Sequence, residues 1–167
     1  MVDDCSLIRK IANNDMIALE LLFKKYRNDV YRYAYMVTKN VEISEDISQD
    51  VFLKVVKCAL QYQKDISVKA WIIQITRTTA LDILKHNAFS KSNLDEMCDV
   101  ENLDNNYTNF DFLEIIKNLK FIEQEIIILH IIYGLRHVEI AKILFKTPEA
   151  IRQQYTRSLS SLKKYYY

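Results

Sequence analysis

The stretch "RHVEIAKILFKTPEAIRQQYTRSL", residues 136–159, joins two short amphipathic patterns through the helix-start signal "KTPE". The apolar spacing predicts one helix from Val138 to Leu144 and a second that begins just after Thr147. Thr147 is the predicted N-cap, and Pro148 fits the first helical position, where no amide hydrogen bond is lost. Two helices joined by a tight turn are typical of a helix-turn-helix, whose second helix can enter the major groove.

The second helix of this stretch has two distinct faces. Its inward stripe is predicted to contain Ile151, Tyr155, Leu162 and either Ser158 or Leu159. Its outward face carries the polar set Glu149, Arg152, Gln153, Thr156 and Arg157. Arg can pair with guanine and Gln with adenine, and both can instead hold phosphates. A plain helical hairpin with a solvated basic face remains the alternative for this stretch.

The composition favours an all-α fold. Of 167 residues, 50% are hydrophobic, and the chain has one Gly and one Pro, which suits long helices and excludes glycine-rich phosphate loops. Three widely spaced cysteines form no ligand pair, which fits a reducing cytoplasm. His86, His130 and His137 share no ligand spacing, so we expect no metal or cofactor, and His130 should be a core or interface residue. No apolar signal or spanning segment is found, so no membrane insertion is expected.

The charge is unevenly distributed along the chain, although the net charge is only +1. Residues 91–111 carry one basic and six acidic side chains, whereas residues 145–167 carry five basic and one acidic. Helical periodicity is lost over about the same acidic stretch. The sequence therefore predicts two helical domains, residues 1–90 and 111–167, joined by an acidic flexible linker, residues 91–110.

The first domain shows three helical patterns. One covers residues 15–38 with Asp15 as its cap, a second is predicted to start at the N-cap Ser44, and a third starts at Ser67. The second helix should bury the stripe Ile47, Val51, Val55 and Ala59.

Two polar sets in this domain are candidates for binding. Asp46, Gln49 and Asp50 line one face of the second helix, with Lys54 further along. Lys69, Arg77 and Lys85 recur at eight-residue steps on the third helix, and Tyr62 and Lys64 lie in the preceding loop. An aromatic ring beside basic groups can stack on an unpaired base while the phosphates are held nearby. An ordinary three-helix bundle with a charged surface is the alternative.

Together these pieces resemble the bacterial RNA polymerase sigma factors of the extracytoplasmic-function (ECF) type. The stretches "ALELLFKKYRNDVYRYAYMVTKN", "EDISQDVFLKVV" and "AWIIQITRTTALDILK" resemble the sigma-2 domain in order and spacing. "EQEIIILHIIYGLRHVEIAKILFKTPEAIRQQYTRSLSSLKK" resembles the sigma-4 domain. The combination of Asp46, Gln49, Asp50 and Phe52 with a following helix that carries Trp71 is the more specific part of the likeness.

The resemblance implies a promoter-specificity subunit without catalytic chemistry. Asp46, Gln49, Asp50 and Lys54 match the surface that docks on the clamp helices of the largest polymerase subunit. The sigma-4-like domain would contact the flap of the second large subunit. The residues that match the −10 reader are Tyr62, Lys64, Lys69, Gln74, Arg77 and Thr78. Those that match the −35 reader are Lys146, Thr147, Glu149, Arg152, Gln153, Thr156 and Arg157.

Some residues depart from the family pattern. Phe145 stands in the turn where the family usually has Gly, and a left-handed backbone there would strain an ordinary residue. Thr78 replaces a common Asn, and Gln153 and Gln154 replace residues that are often basic or small. The preferred promoter sequence therefore cannot be copied from a relative.

Two other functions are alternatives to that of a sigma factor. One is a stand-alone helix-turn-helix regulator that binds duplex DNA without polymerase, and the other is a helical adaptor that sequesters a partner. Many relatives of the resembled family are held inactive by an anti-sigma factor, which is therefore a candidate partner.

Overall fold

The computed structural model describes residues 3–90 and 115–166, and every regular element in these ranges is a helix. The chain divides into two compact units, Met1–Cys98 and Asp99–Tyr167. The all-α prediction is confirmed. The predicted linker, residues 91–110, lies outside the described residues and stays a prediction. None of the described helices combines the length and apolar character needed to cross a bilayer.

Between residues 3 and 90 the N-terminal unit forms four α-helices and one short 3₁₀ turn. They are α1 (Asp4–Ala12), α2 (Met16–Thr38), α3 (Val41–Cys58), the 3₁₀ turn Ala59–Gln61 and α4 (Val68–Ser90). The last three α-helices pack on one another around a core in which Leu22, Val51 and Ile72 are almost completely buried. The stripe predicted for α3 faces this core, so its helical period is confirmed.

Side-chain capping fixes where α2 and α3 begin. Asp15 Oδ1 accepts the amide hydrogens of Ile17 and Ala18 at 3.0 Å, so the predicted cap of α2 is confirmed. The predicted start of α3 at Ser44 is wrong. The Asn40 side chain accepts the Ile43 amide at 2.9 Å, and α3 therefore begins one turn earlier than predicted. Ser44 is buried inside the helix and donates its hydroxyl hydrogen to the Asn40 carbonyl.

Helix α1 was not predicted from the sequence. It buries Leu7, Ile8 and Ile11 against the core of the N-terminal unit. Polar contacts also join it to α2, because Lys25 Nζ lies 2.6 Å from Asp4 Oδ1 and the Tyr26 hydroxyl donates to Asp4 Oδ2 at 2.5 Å. Burial and the Asp4 carboxylate raise the pKa of Tyr26 well above its usual value, so this phenol stays protonated as a donor.

The C-terminal unit contains α5 (Phe121–Ile131), α6 (His137–Leu144) and α7 (Pro148–Tyr166). Its core includes Ile126, Ile140 and Ile151, all fully buried. Gly134 has φ +68° after α5, a left-handed helix end, and the Leu135 amide donates to the Leu129 carbonyl at 3.0 Å.

Phe145 occupies the turn between α6 and α7 with φ +53°, in the left-handed region. The turn therefore keeps the backbone that glycine adopts easily, although an L-residue strains it. The Phe145 side chain is 71% exposed, so its burial does little to offset the backbone strain.

We expect Phe145→Gly to stabilise the C-terminal unit by about 1 kcal/mol, because glycine relieves the left-handed strain. Amide hydrogen exchange in α6 of the full chain measures this change. Lys146→Gly is the matched control and should destabilise the unit, since Lys146 has no positive φ. Slower exchange in both variants, or in neither, would contradict the strain argument.

Candidate functional surfaces

The first surface is an acidic face on α3, formed by Asp46, Gln49 and Asp50. Positions three and four apart share one face of a helix, so the three side chains lie together. Asp46 and Gln49 are exposed, and the Asp50 side chain is 46% exposed. Leu53, one turn further along, is 60% exposed and adds an apolar group beside the acidic face that the polar pattern of α3 does not indicate. The face therefore offers carboxylates, an amide and an apolar side chain.

Lys54 links α3 to α4 rather than pointing only to solvent. Its ammonium lies 2.9 Å from Asp50 Oδ2 and donates to Thr79 Oγ1 at 2.9 Å. Thr79 is buried on α4. Lys54 thus bridges the acidic face and the neighbouring helix, a partnership that spacing along α3 alone did not reveal.

The second surface combines α4 with the loop before it. Lys64 is exposed in the loop, whereas Gln74, Arg77 and Thr78 are partly buried along α4. Lys69 Nζ lies 3.3 Å from Asp29 Oδ2 on α2. The Thr78 hydroxyl lies 3.1 Å from the Gln74 carbonyl oxygen and 3.0 Å from that of Ile75. Its hydrogen is therefore donated to carbonyls of its own helix.

Tyr62 is held inside the N-terminal unit. Its ring packs against Trp71 with centroids 5.1 Å apart, and its hydroxyl donates to the Ile66 carbonyl at 2.7 Å. Burial first, and then the contact with Cys5, raises the pKa of Tyr62 above its usual value. These contacts tie α1, the loop and α4 together. Tyr62 therefore has a packing role in the unit, and its base-stacking role stays a prediction.

The third surface is the outward face of α7, called here the recognition face. It consists of Glu149, Arg152, Gln153, Thr156 and Arg157, all exposed. Ile151 and Ser158 point inward and are completely buried. Thr147 Oγ1 accepts the Ala150 amide at 3.2 Å, so the predicted cap is confirmed, and Lys146 is exposed beside it. The helix therefore presents two guanidinium groups and one amide on a surface that α5 and α6 do not cover.

These features define a class: an all-helical chain with an acidic-faced bundle followed by a helix-turn-helix with a basic second helix. Residues 22–89 match the family model described as Sigma-70 region 2, which covers α3, most of α2 and nearly all of α4.

Curated relatives agree with this match. The chain is 24% identical over 170 residues to the ECF RNA polymerase sigma factor BldN of Streptomyces coelicolor, covering 95% of this chain and 64% of BldN. It is 24% identical over 140 residues to the RNA polymerase sigma factor SigV of Bacillus subtilis, covering 83% of this chain and 84% of SigV. The chain thus spans less than two thirds of BldN.

A solved structure has the same fold. The sigma factor RpoE of Bartonella quintana, in complex with the anti-sigma factor NepR, is 17% identical with a TM-score of 0.69, covering 87% of this chain and 94% of that one. Residues 22–89 therefore belong to the Sigma-70 region 2 family, and the chain as a whole is similar to RNA polymerase sigma factors of the extracytoplasmic-function type.

Proposed function

We propose that this chain binds core RNA polymerase and directs it to selected promoters, without catalytic chemistry of its own. The supporting observation is that one chain combines a Sigma-70 region 2 match over residues 22–89 with a helix-turn-helix that exposes Arg152 and Arg157. The relatives named above carry the printed description of RNA polymerase sigma factors. A protein with this function acts in the cytoplasm, where polymerase and DNA are found.

The N-terminal unit, proposed as residues 1–90, docks on the clamp helices of the largest polymerase subunit. Asp46, Gln49 and Asp50 on the acidic face are the contacts, and Leu53 adds an apolar group beside them. Carboxylates at an interface steer association and fix its register more than they raise affinity. Lys54 acts on this face by holding the Asp50 carboxylate in place.

The same unit reads and opens the −10 element through α4 and its preceding loop. Lys64 is exposed for a phosphate contact, while Lys69, Gln74, Arg77 and Thr78 lie along the helix. Extruding a base costs a few kcal/mol in lost stacking, which a pocket for the base must offset. Lys69 reaches the DNA after exchanging Asp29 for a phosphate, because both partners are anions.

The C-terminal unit, proposed as residues 111–167, reads the −35 element as duplex DNA. The recognition face enters the major groove, and Lys146 beside the cap of α7 holds a phosphate. Two linked modules on one promoter raise avidity without tight binding by either. An anti-sigma factor is a further proposed partner, as one is for the structural relative RpoE.

Gel filtration with purified core polymerase, followed by run-off transcription on genomic fragments, tests this function. We expect co-elution and new transcript starts that depend on the protein. A protein that binds duplex DNA but neither co-elutes nor redirects transcription would instead be a stand-alone helix-turn-helix regulator. A protein that shows no salt-dependent DNA binding would be a helical adaptor.

Arg152→Ala tests whether this exposed guanidinium reads a base edge. If it does, the variant should lose about 1–3 kcal/mol of binding and tolerate substitution at one base pair. Binding to duplexes in which each −35 base pair is changed in turn measures the effect. Lys163→Ala is the control and should weaken all duplexes about equally. An equal loss on every duplex for Arg152→Ala would make Arg152 a phosphate contact.

A further inference from the structure

Three rings, one each from α5, α6 and α7 of the C-terminal unit, meet in one cluster. His130 comes from the end of α5, His137 from the start of α6 and Tyr155 from α7. The two imidazoles are stacked with centroids 4.6 Å apart, and Tyr155 lies 4.8 Å from His130 and 5.2 Å from His137. Tyr155 therefore attaches α7, the helix with the recognition face, to both other helices.

Hydrogen bonding distinguishes the two imidazoles. His130 Nδ1 lies 2.8 Å from the Leu135 carbonyl oxygen, which can only accept, so this nitrogen carries a proton and donates it. His137 Nε2 is buried and has no hydrogen-bond partner. A second proton on the His137 ring would place a charged donor where no acceptor receives it.

The charges around His137 also oppose a cation there. Burial is the largest cause that lowers the pKa of His137 below 6.5, and His130 from α5 and Arg152 from α7 act in the same direction. His137 is the first residue of α6, where the helix dipole is positive. The nearby Glu139 carboxylate is engaged, because it accepts the Arg136 backbone amide at 3.0 Å and lies 3.3 Å from Arg136 Nε.

We propose that the His130–His137–Tyr155 cluster holds α7 in place only while His137 is neutral, so that acidification loosens the helix that carries the recognition face. The consequence for DNA rests on the proposed function, whereas the loosening itself does not. Sequence spacing gave no role to His137, since its neighbours come from helices brought together only by folding.

The direction of the pH effect follows from proton linkage. The unfolded chain binds a proton at His137 near pH 6.5, whereas the folded unit binds it only at lower pH. Stability from this site is therefore fully present above pH 6.5 and is lost as pH falls from there towards the folded pKa. At pH 5.5 the loss of stability amounts to at most about a tenfold rise in the opening equilibrium constant of the unit.

Histidine NMR on the unaltered full-length protein provides the first test. Ring proton shifts followed from pH 8 to pH 5, with His137 assigned through the backbone, should give its titration midpoint below about 6.5. A midpoint at or above that value overturns the proposal. This measurement needs no substitution, so it tests the proposal even if a variant fails to fold.

Amide hydrogen exchange at pH 7.5 and 5.5, corrected for intrinsic rates, provides the second test. In the unaltered chain, protection of α7 should fall by up to about tenfold at the lower pH. His137→Phe keeps a stacking ring but cannot take up a proton, and it should abolish this loss. His86→Phe, at an exposed histidine of α4, is the matched control and should behave as the unaltered chain. An equal loss in His137→Phe overturns the proposal.

Duplex binding at the two pH values separates this inference from the proposed function. We expect −35 duplex affinity to fall on acidification in the unaltered chain and in His86→Phe more than in His137→Phe. If no variant binds duplex DNA even at pH 7.5, the proposed function fails, and the NMR and exchange results still decide whether His137 controls α7.

Discussion

Ile140→Ala is expected to unfold the C-terminal unit and leave the N-terminal unit folded. Ile140 is fully buried between α6 and its neighbours, and truncating such a side chain costs about 2–5 kcal/mol. A unit of this size has only about 3–10 kcal/mol of stability in total. The loss therefore consumes much or all of what keeps the unit folded.

Residue-resolved hydrogen exchange in the full chain measures this effect separately in each unit. We expect protection to collapse in α5 to α7 and to persist in α2 to α4. Ile132→Ala, in the same unit at a site 40% exposed, is the control and should cost much less. Loss of protection in both units at once would mean that the two units do not fold independently.

The same variant separates the two proposed DNA contacts. Polymerase binding through α3 should remain, because the N-terminal unit stays folded. Transcription should then lose its dependence on the −35 sequence while keeping its dependence on the −10 sequence. If the variant no longer binds polymerase, part of the docking surface lies in the C-terminal unit.

Asp50→Arg is expected to weaken binding to core polymerase by at least about tenfold, which corresponds to about 1.4 kcal/mol. The change reverses a charge at the centre of the acidic face and leaves Lys54 with only its Thr79 partner. The fold should survive, since the Asp50 side chain is 46% exposed and an ion pair of this kind contributes only about 0–1 kcal/mol.

A titration of labelled protein with core polymerase, at two salt concentrations, measures this loss. Asp82→Arg makes the same change of charge at an exposed site on α4 and is the matched control. Asp50→Asn should have an intermediate effect, because it removes the charge without reversing it. Unchanged affinity in Asp50→Arg would mean that the acidic face of α3 does not bind polymerase.

Local rules predicted the features that depend on neighbouring residues. The caps Asp15 and Thr147 were predicted because each contacts amides within three residues of itself. The start of α3 was misplaced because Asn40 and Ser44 are both good caps one turn apart, and only the folded backbone shows which one is used. The short helix α1 was missed, although its buried residues contribute to the core.

Contacts between distant residues could not be predicted in the same way. Lys54 finds Thr79 25 residues further along, and Cys5 lies against Tyr62 57 residues away. Such partners decide whether a polar side chain faces a ligand or serves the fold, and they depend on how helices pack. The exposed positions of α7 were foreseen, because a helix with one apolar stripe leaves its opposite side to solvent.

Phe145 has a consequence for how motifs of this kind are recognised. A search pattern that demands glycine between the two helices would pass over this chain, although its backbone follows the same path there. The strain of one side chain is small beside the burial of Ile140, Ile143 and Ile151 that surrounds the turn. Descriptors built on dihedral angles and apolar packing would therefore retrieve divergent members that residue identity alone discards.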